Sequence, residues 1–265
     1  MRQARHLPGH FGEWVQGRLG PNGPVVLVTA FAPSLGLAAS HRPGRGLSVH
    51  GAGLSPARAR RFLALLNLRL RGQVVLRPCV APGLGTGVST ASLVALARLA
   101  GWQGPPERLA QACIAAEGAS DPTMFAAPDR LLWASRQGRV LAQLPALPRH
   151  EILGGFCGAP ARTEPQDSAF PDVADLVARW QGSATLADFA ALASESAARC
   201  TALRGPGGAD MPALVARLGA LGWMRAHTGA ARGLIFAPGT VPEGAEAVLR
   251  AAGWRGLRRL QGGGA

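Results

Sequence analysis

A glycine-rich segment, "APGLGTGVSTAS" at residues 81–92, contains the residue types that could bind phosphate. Gly83, Gly85 and Gly87 stand with four hydroxyl side chains between an apolar run and a segment of helical spacing. Glycine lets an anion approach the backbone closely, and the first turn of a helix presents unpaired N–H groups at its positive end. A glycine turn before a Ser or Thr N-cap is the alternative, and these residues alone do not separate the two. The chain has no lysine, so this is not a Walker loop.

A second stretch, "AAEGASDPTMF" at residues 115–125, carries paired carboxylates. Glu117 and Asp121 stand four residues apart at the end of a predicted helix, and Pro122 forces the chain to turn. One carboxylate of such a pair can bind a metal ion while the other orients or deprotonates a hydroxyl. The alternative is a solvated helix end with an Asx turn.

Two further stretches combine polar residues with glycine. In "RAHTGAARGLIFAPG", residues 225–239, a loop with His227 runs into an apolar strand, and this histidine taken alone is more typical of a structural role. In "LPGHFGEWVQG", residues 7–17, Glu13 and Gln16 stand just before a predicted strand. This segment is interpreted either as a substrate clamp or as a surface turn.

Apolar periodicity predicts the elements that must position these stretches. Short β-branched or apolar runs bounded by Gly or Pro predict strands at 25–31, 73–76, 233–237 and 256–260. Helical spacing predicts helices at 56–68, 89–100, 106–116, 172–180, 186–200, 211–221 and 243–252. Strands and helices mixed in both halves indicate an α+β protein of two packed domains, residues 1–150 and 151–265.

The formal net charge of +13 would ordinarily suggest a nucleic-acid-binding protein. All 28 basic residues are arginine, however, and tyrosine is absent, which fits the codon usage of a GC-rich genome. The arginine clusters at 58–71 and 255–259 contain one aromatic residue, Phe62, and the helical spacing places it on the apolar face opposite the arginines, where it could not stack on bases. Nucleic acid is therefore not the expected partner, whereas an arginine excess suits anionic small molecules such as nucleotides.

Other compositional features indicate a cytoplasmic protein that does not enter a membrane. The four cysteines form no C-x-x-C pair, which favours free thiols in a reducing compartment over a metal site. The longest apolar stretches fall well short of the roughly 20 residues that cross a bilayer, and no apolar signal region follows the N-terminal arginines. The sequence does not determine an oligomeric state.

Taken in order, the four stretches resemble the GHMP kinase superfamily, and within it the L-threonine kinases of cobalamin biosynthesis, also known as propanediol utilisation proteins. Each stretch matches one family motif, and together they span nearly the whole chain. The matching residues are Gly12, Glu13, Gln16 and Gly17; Gly83, Gly85, Ser89, Thr90 and Ala91; Ser120, Asp121, Thr123, Met124 and Phe125; and Ala226, His227, Thr228 and Gly229.

This resemblance implies a two-domain α+β GHMP kinase fold. The N-terminal domain, residues 1–150, would be like domain 2 of ribosomal protein S5 and carry the phosphate loop. The C-terminal domain, residues 151–265, would be ferredoxin-like, with the active site between the two. The implied reaction transfers the ATP γ-phosphoryl group, with Mg²⁺, to the hydroxyl of L-threonine. Its product, O-phospho-L-threonine, supplies the aminopropanol linker of cobalamin, so the expected partner is a small amino acid.

The resemblance also implies residue roles. Asp121 would orient or deprotonate the acceptor hydroxyl, and Glu13 and Gln16 would contact the amino acid, with Glu13 at its ammonium group. The ATP phosphates would be bound by Pro82, Gly83, Leu84, Gly85, Thr86, Gly87, Val88, Ser89 and Thr90. The metal would be bound by Ser89 or Thr90 together with Glu117. His227, Thr228 and Gly229 would support the loop.

The chain departs from the threonine kinase pattern at four positions. Leu84 stands where that subfamily often has Lys, Val88 replaces Ser, Ser92 replaces Asp, and Phe11 replaces Cys. Two alternatives therefore stay open. One is a GHMP kinase for another alcohol, such as homoserine, a mevalonate-like compound or a sugar. The other is a non-catalytic or nucleic-acid-binding relative.

Overall fold

A computed structural model describes residues 3–161, 164, 166–205 and 209–264. The strands are β1 Gln3–Arg18, β2 Val25–Arg42, β3 Leu47–His50, β4 Gly72–Pro78, β5 Leu131–Ala134, β6 Arg139–Gln143, β7 His150–Phe156, β8 Gly222–Arg225, β9 Ala231–Phe236 and β10 Arg255–Gly262. The helices are α1 Pro56–Leu65, α2 Val88–Leu99, α3 Pro106–Glu117, α4 Ala174–Gly182, α5 Leu186–Arg204, α6 Met211–Leu218 and α7 Ala245–Ala251. None of these described helices has the length and apolar character that crossing a membrane requires.

The N-terminal half places α2 at the centre of its core. Strands β3 and β4 are parallel and joined through α1, and β4 continues antiparallel onto β2. Within α2 only Ser89 and Arg98 are exposed, because the rest of its sequence is apolar or small and packs against α1, α3 and the sheet. A helix buried on nearly all sides holds the loop that precedes it in a fixed position.

The C-terminal half has a ferredoxin-like arrangement. Its strands and principal helices follow the order β7, α5, β8, β9, α7, β10, and the sheet order is β10-β7-β9-β8 with antiparallel neighbours. This is the β-α-β-β-α-β pattern that the sequence resemblance implies, with α4 and α6 as additions. The predicted fold class is therefore confirmed in this half by the strand order itself.

A single sheet joins the two halves at β1. Along this strand, Glu13 pairs with Thr29 of β2 on one side and with Arg225 of β8 on the other. One hydrophobic core takes residues from both halves, including Trp14 of β1 and Phe189 of α5. The division at residue 150, the first residue of β7, stays a prediction.

All seven predicted helices and all four predicted strands are found, and most of their ends shift by a few residues. The exception is β2, which was predicted to end at residue 31 and continues to Arg42. The surface-turn interpretation of residues 7–17 is wrong, because that segment lies in the buried strand β1. Its pairing with β2 shifts register at Leu7/Gly9, His10/Glu13 and Glu13/Val15. These irregularities break the alternation by which a strand is recognised in sequence.

Candidate active site

The loop before α2 is held by its carbonyl groups. Four consecutive carbonyl oxygens accept backbone hydrogen bonds from β1, β9 and the segment after β7. The pairs are Ala161 N–H to Gly83 O at 2.9 Å, Ala231 N–H to Leu84 O at 2.9 Å, Gly12 N–H to Gly85 O at 3.3 Å and His10 N–H to Thr86 O at 3.3 Å. With the carbonyl groups bound to the protein, the amide groups are left for another partner.

The N–H groups from Gly83 to Ser89 donate to no acceptor in the part of the chain that the structure describes. Gly83, Gly85 and Gly87 have φ angles of 85°, 84° and 72°, in the left-handed region where a side chain is disfavoured. Gly87 is also the N-cap of α2 and offers no side-chain acceptor to the first turn. A run of unpaired donors at the start of a helix is an anion-binding arrangement.

The loop at residues 227–230 lies directly against this phosphate loop. A Cβ atom on Gly229 would stand 2.6 Å from Gly85 N and 2.6 Å from Leu84 C, so no side chain fits there. Thr228 lines the same cavity as the phosphate loop. This contact is what the predicted loop-support role requires of the segment.

Asp121 is fixed at the other side of the phosphate loop and pairs with His10. Its backbone N–H donates to Thr90 Oγ1 at 3.2 Å, and its Oδ2 lies 3.4 Å from His10 Nε2. A Cβ atom on Gly87 would stand 3.2 Å from the same Oδ2, so the carboxylate adjoins the loop. Burial disfavours both charges, but their mutual attraction outweighs it: the pKa of His10 is raised to about 9 and that of Asp121 is lowered.

Glu13 is buried on the far side of His10. Its Oε1 lies 3.9 Å from His10 Nδ1, and its Oε2 accepts the backbone N–H of His227 at 3.1 Å. Burial raises the pKa of Glu13 to about 7, against the opposing attraction of His10. This carboxyl group therefore gains or loses its proton near neutral pH.

Gln16 and Thr86 each present a buried polar atom that has no partner among the described residues. The Gln16 side chain donates through Nε2 to Arg225 O at 2.7 Å, which leaves its Oε1 unpaired among the described residues. Thr86 Oγ1 is buried and unpaired in the same sense. Both side chains line the cavity, and buried polar atoms are normally satisfied, so these two are suited to a ligand.

Ser89, Glu117 and Arg58 form a second polar group. Ser89 Oγ donates to Glu117 Oε1 at 2.6 Å, and Arg58 approaches the same oxygen at 2.9 Å. Burial raises the pKa of Glu117, while Ser89 and Arg58 act in the opposite direction. No cluster of three or more His, Cys, Asp or Glu side chains in the described ranges could hold a metal ion. A hydroxyl and one carboxylate still suit Mg²⁺, which keeps several waters and phosphate oxygens as ligands.

His227 contributes its backbone rather than a charged ring. Its imidazole stacks on Phe170 with centroids 3.9 Å apart, and its Nε2 lies 3.3 Å from Asp167 Oδ2. Burial and the charge of Arg204 lower the pKa of His227 to about 4, against the attraction of Asp167. The ring is therefore neutral at neutral pH and fixes the loop by packing.

One cavity of about 260 Å³ collects most of the predicted site residues. Those lining it are Glu13, Gln16, Pro82, Gly83, Gly85, Thr86, Gly87, Val88, Ser89, Thr90, Glu117, Asp121, His227 and Thr228. Leu84 and Gly229 do not line it but pack behind the loop. His10, Arg58, Arg136 and Phe170 line it without having been predicted.

Two of the four departures from the family motifs lie away from the cavity. Phe11 is buried in the core beside Phe156, with ring centroids 5.8 Å apart. Ser92 is buried inside α2 and donates to Val88 O at 2.6 Å. Val88 lines the cavity, and Leu84 contributes its carbonyl to the loop anchoring described above. Phe11 and Ser92 thus leave the cavity lining unchanged.

No protein-family model and no curated protein sequence matches the chain. Solved structures match it over nearly the whole length. A phosphotransferase related to the CoA biosynthesis pathway superposes with a TM-score of 0.68 at 13% identity, covering 99% of this chain and 96% of that one. Mevalonate kinase from L. major in complex with R-mevalonate gives 0.62 at 14% identity, with 99% and 95% covered. Homoserine kinase from Cytophaga hutchinsonii gives 0.60 at 15% identity, with 99% and 95% covered.

At such identities the likeness establishes the fold alone. The chain has the α+β fold of the GHMP kinases.

Proposed function

We propose that the protein is an ATP-dependent kinase that phosphorylates the hydroxyl of a small molecule. The observation that carries this proposal is the adjacency of two features: a loop of unpaired backbone N–H groups and the Asp121–His10 pair at its end. Phosphoryl transfer needs little more than neutralised phosphate charge and a hydroxyl held in line. The cavity brings groups suited to both tasks into contact.

The loop residues fit the phosphates of a nucleotide. The N–H groups of residues 83–89 would hold the phosphate oxygens, and the three glycines leave room for close approach. Ser89 and Glu117 would hold Mg²⁺, which neutralises phosphate charge when bound with ATP. Arg58, already at Glu117, adds a positive charge beside this group.

Asp121 would orient the acceptor hydroxyl and take its proton. Its lowered pKa keeps it ionised at neutral pH, so it is a weak base in the resting site. A weak base suffices where the transition state is loose. In such a transition state little bond has formed between the hydroxyl oxygen and phosphorus when the bond to the leaving group is nearly broken, so the hydroxyl need not be deprotonated early. His10 would hold this carboxylate in place and carry positive charge next to the phosphate loop.

The acceptor that this site suits best is L-threonine, converted to O-phospho-L-threonine. Glu13 and the unpaired Gln16 Oε1 are both hydrogen-bond acceptors on the cavity wall, which matches an ammonium group with three donors. The order of sequence motifs, which resembles the L-threonine kinases of cobalamin biosynthesis, supports the same assignment.

A second candidate is phosphorylation of another small alcohol. Structures of mevalonate and homoserine kinases share the fold at similar TM-scores, so homoserine and a mevalonate-like alcohol are the rivals to test, with a sugar as a neutral comparison. Nucleic-acid binding has less support. Arg60, Arg69 and Arg71 line a separate surface cavity of about 650 Å³, and its lining residues, all described, include no aromatic side chain that could stack on bases.

ADP release from ATP and Mg²⁺ with a panel of acceptors tests the proposal. The panel contains L-threonine, homoserine, mevalonate and galactose, and we expect the highest kcat/KM with L-threonine. Preference for a non-amino-acid alcohol would overturn the threonine assignment while keeping the kinase. Absence of phosphorylation of any acceptor would overturn the kinase itself, and binding to random-sequence DNA that weakens steeply with salt would then favour the nucleic-acid-binding alternative.

A further inference from the structure

Among the described residues that line the cavity, Arg136 is the cation without an acidic partner. The other charged side chains there are paired. Arg58 lies 2.9 Å from Glu117, and His10 lies between Asp121 and Glu13. Arg136 has no carboxylate within 4.0 Å in the described ranges, although its side chain lines the cavity. A positive charge without a counterion at a cavity wall favours an anionic group on the ligand.

Most of the N–H donors of the Arg136 guanidinium are not used in hydrogen bonds to the described residues. One N–H donates to the backbone carbonyl of Glu164 at 3.2 Å, and the Cζ atom lies 5.2 Å from the ring centroid of Phe170. A guanidinium carries five N–H donors in a planar fork that matches the two oxygens of a carboxylate. The carbonyl and the ring hold the side chain in position, and the remaining donors are available to a ligand.

A chain of contacts connects Arg136 to the part of the cavity assigned to the acceptor. Phe170, beneath the guanidinium, stacks on the His227 ring, and the backbone N–H of His227 donates to Glu13. On the other side, the backbone N–H of Ser120, the residue before Asp121, donates at 2.9 Å to the carbonyl of Ser135, the residue before Arg136. Arg136 is thus held by the same segments that hold Glu13 and Asp121.

We propose that Arg136 binds a carboxylate of the acceptor, so that the substrates of this site are hydroxy acids. This inference rests on the proposed kinase function and narrows it. An amino acid with a side-chain hydroxyl would then be held at three points: its ammonium group by Glu13 and Gln16, its carboxylate by Arg136 and its hydroxyl by Asp121. Neutral sugars lack the group that Arg136 recognises.

The test, run below pH about 7, compares L-threonine with L-threoninamide, which at that pH keeps the size and the ammonium group but lacks the negative charge. ADP release gives kcat and KM for both acceptors in the wild type, in Arg136→Gln and in Arg139→Gln. Arg139 is an exposed arginine of β6 that does not line the cavity, and it serves as the matched control. The wild type should have a KM for L-threonine about tenfold or more below that for L-threoninamide.

Arg136→Gln should remove that difference by raising the KM for L-threonine about tenfold or more, with the KM for L-threoninamide and for ATP unchanged. Arg139→Gln should behave as the wild type. Equal increases for both acceptors, or an increase for ATP instead, would overturn the assignment of Arg136 to the carboxylate. If another hydroxy acid proves the better acceptor, its own amide replaces L-threoninamide in the same comparison.

The role of Arg136 and the kinase function can be overturned separately. A wild-type enzyme that phosphorylates acceptors with no preference for the carboxylate overturns the role of Arg136 and leaves the kinase intact. An enzyme that transfers no phosphoryl group to any acceptor of the panel overturns the proposed function, and the role of Arg136 with it.

Discussion

His10 is the residue on which the electrostatics of the cavity depend. It lies between the carboxylates of Asp121 and Glu13, is buried, and contacts the phosphate loop through its backbone at Thr86. Three acidic side chains line the cavity, and a bound nucleotide would add further negative charge. A protonated His10 reduces the repulsion that this arrangement would otherwise produce.

The charge state of His10 is directly measurable. Because the pKa is raised from 6.5 to about 9, the imidazolium should persist through neutral pH and be lost only as the pH rises through about 9. Removing the neighbouring negative charge with Asp121→Asn should move the midpoint downward. NMR titration of the histidine ring protons, with the His10 signal assigned from its loss in His10→Gln, measures both midpoints. A wild-type midpoint near 6.5, unmoved by Asp121→Asn, would refute the pairing.

The sequence predicts Asp121, Glu13 and the phosphate loop as site residues because each lies in a contiguous motif with recognisable spacing, and all three line the same cavity. It did not identify His10 or Arg136, since neither spacing nor residue type reveals that residue 10 meets residue 121. The Arg58–Glu117 contact was missed for the same reason: α1 and α3 are brought together only by packing. Contacts between distant segments are set by the fold, which local patterns do not encode.

Among the elements, β1 and α2 do most to position the site. β1 contributes His10, Glu13 and Gln16, and α2 begins at the phosphate loop. The helices were predicted well because their apolar spacing is regular. β1 was missed because bulges and glycines interrupt its alternation, and the short strands β3, β5, β6 and β8 were missed because few residues define each pattern. β7 was missed because Gly154 and Gly155 interrupt its apolar run.

The packing of the 227–230 loop on the phosphate loop gives a prediction for Gly229→Ala. The new Cβ would approach Gly85 N and Leu84 C at 2.6 Å, so the phosphate loop must shift, and ATP affinity should fall about tenfold or more. Gly239→Ala is the matched control: its φ is also positive, at 75°, but no atom of the described residues lies within 4 Å of the added atom. ATP titration by calorimetry should separate the two variants. Equal ATP affinity in both would show that this contact does not position the loop.

On the scale of the whole molecule, the two halves share one sheet and one of the hydrophobic core clusters. β1 pairs with β2 on one side and β8 on the other, and the cavity is lined from both halves, by Asp121 and by His227. The sequence predicted two domains from the mixture of elements. It did not reveal the continuous sheet, because strand pairing between residues 13 and 225 leaves no local signal.

This continuity predicts that the molecule unfolds as one cooperative unit. Trp133 is buried in the N-terminal half and Trp254 in the C-terminal half. Replacing either one with Phe therefore lowers the share of the tryptophan fluorescence that reports on the unfolding of that half. Urea midpoints measured by fluorescence in the two variants should each coincide with the far-UV circular dichroism midpoint of the same variant. Two separated transitions would instead indicate halves that fold independently.

The most direct test of the central claim is the turnover of Asp121→Asn with ATP, Mg²⁺ and L-threonine. The substitution keeps the shape of the side chain and removes its charge, so the protein should fold and bind ATP with nearly unchanged affinity. The rate of ADP release at saturating substrates should fall about 10²-fold to 10⁴-fold, as expected when a positioned acid–base group is lost. Near-native turnover in this variant would contradict the account.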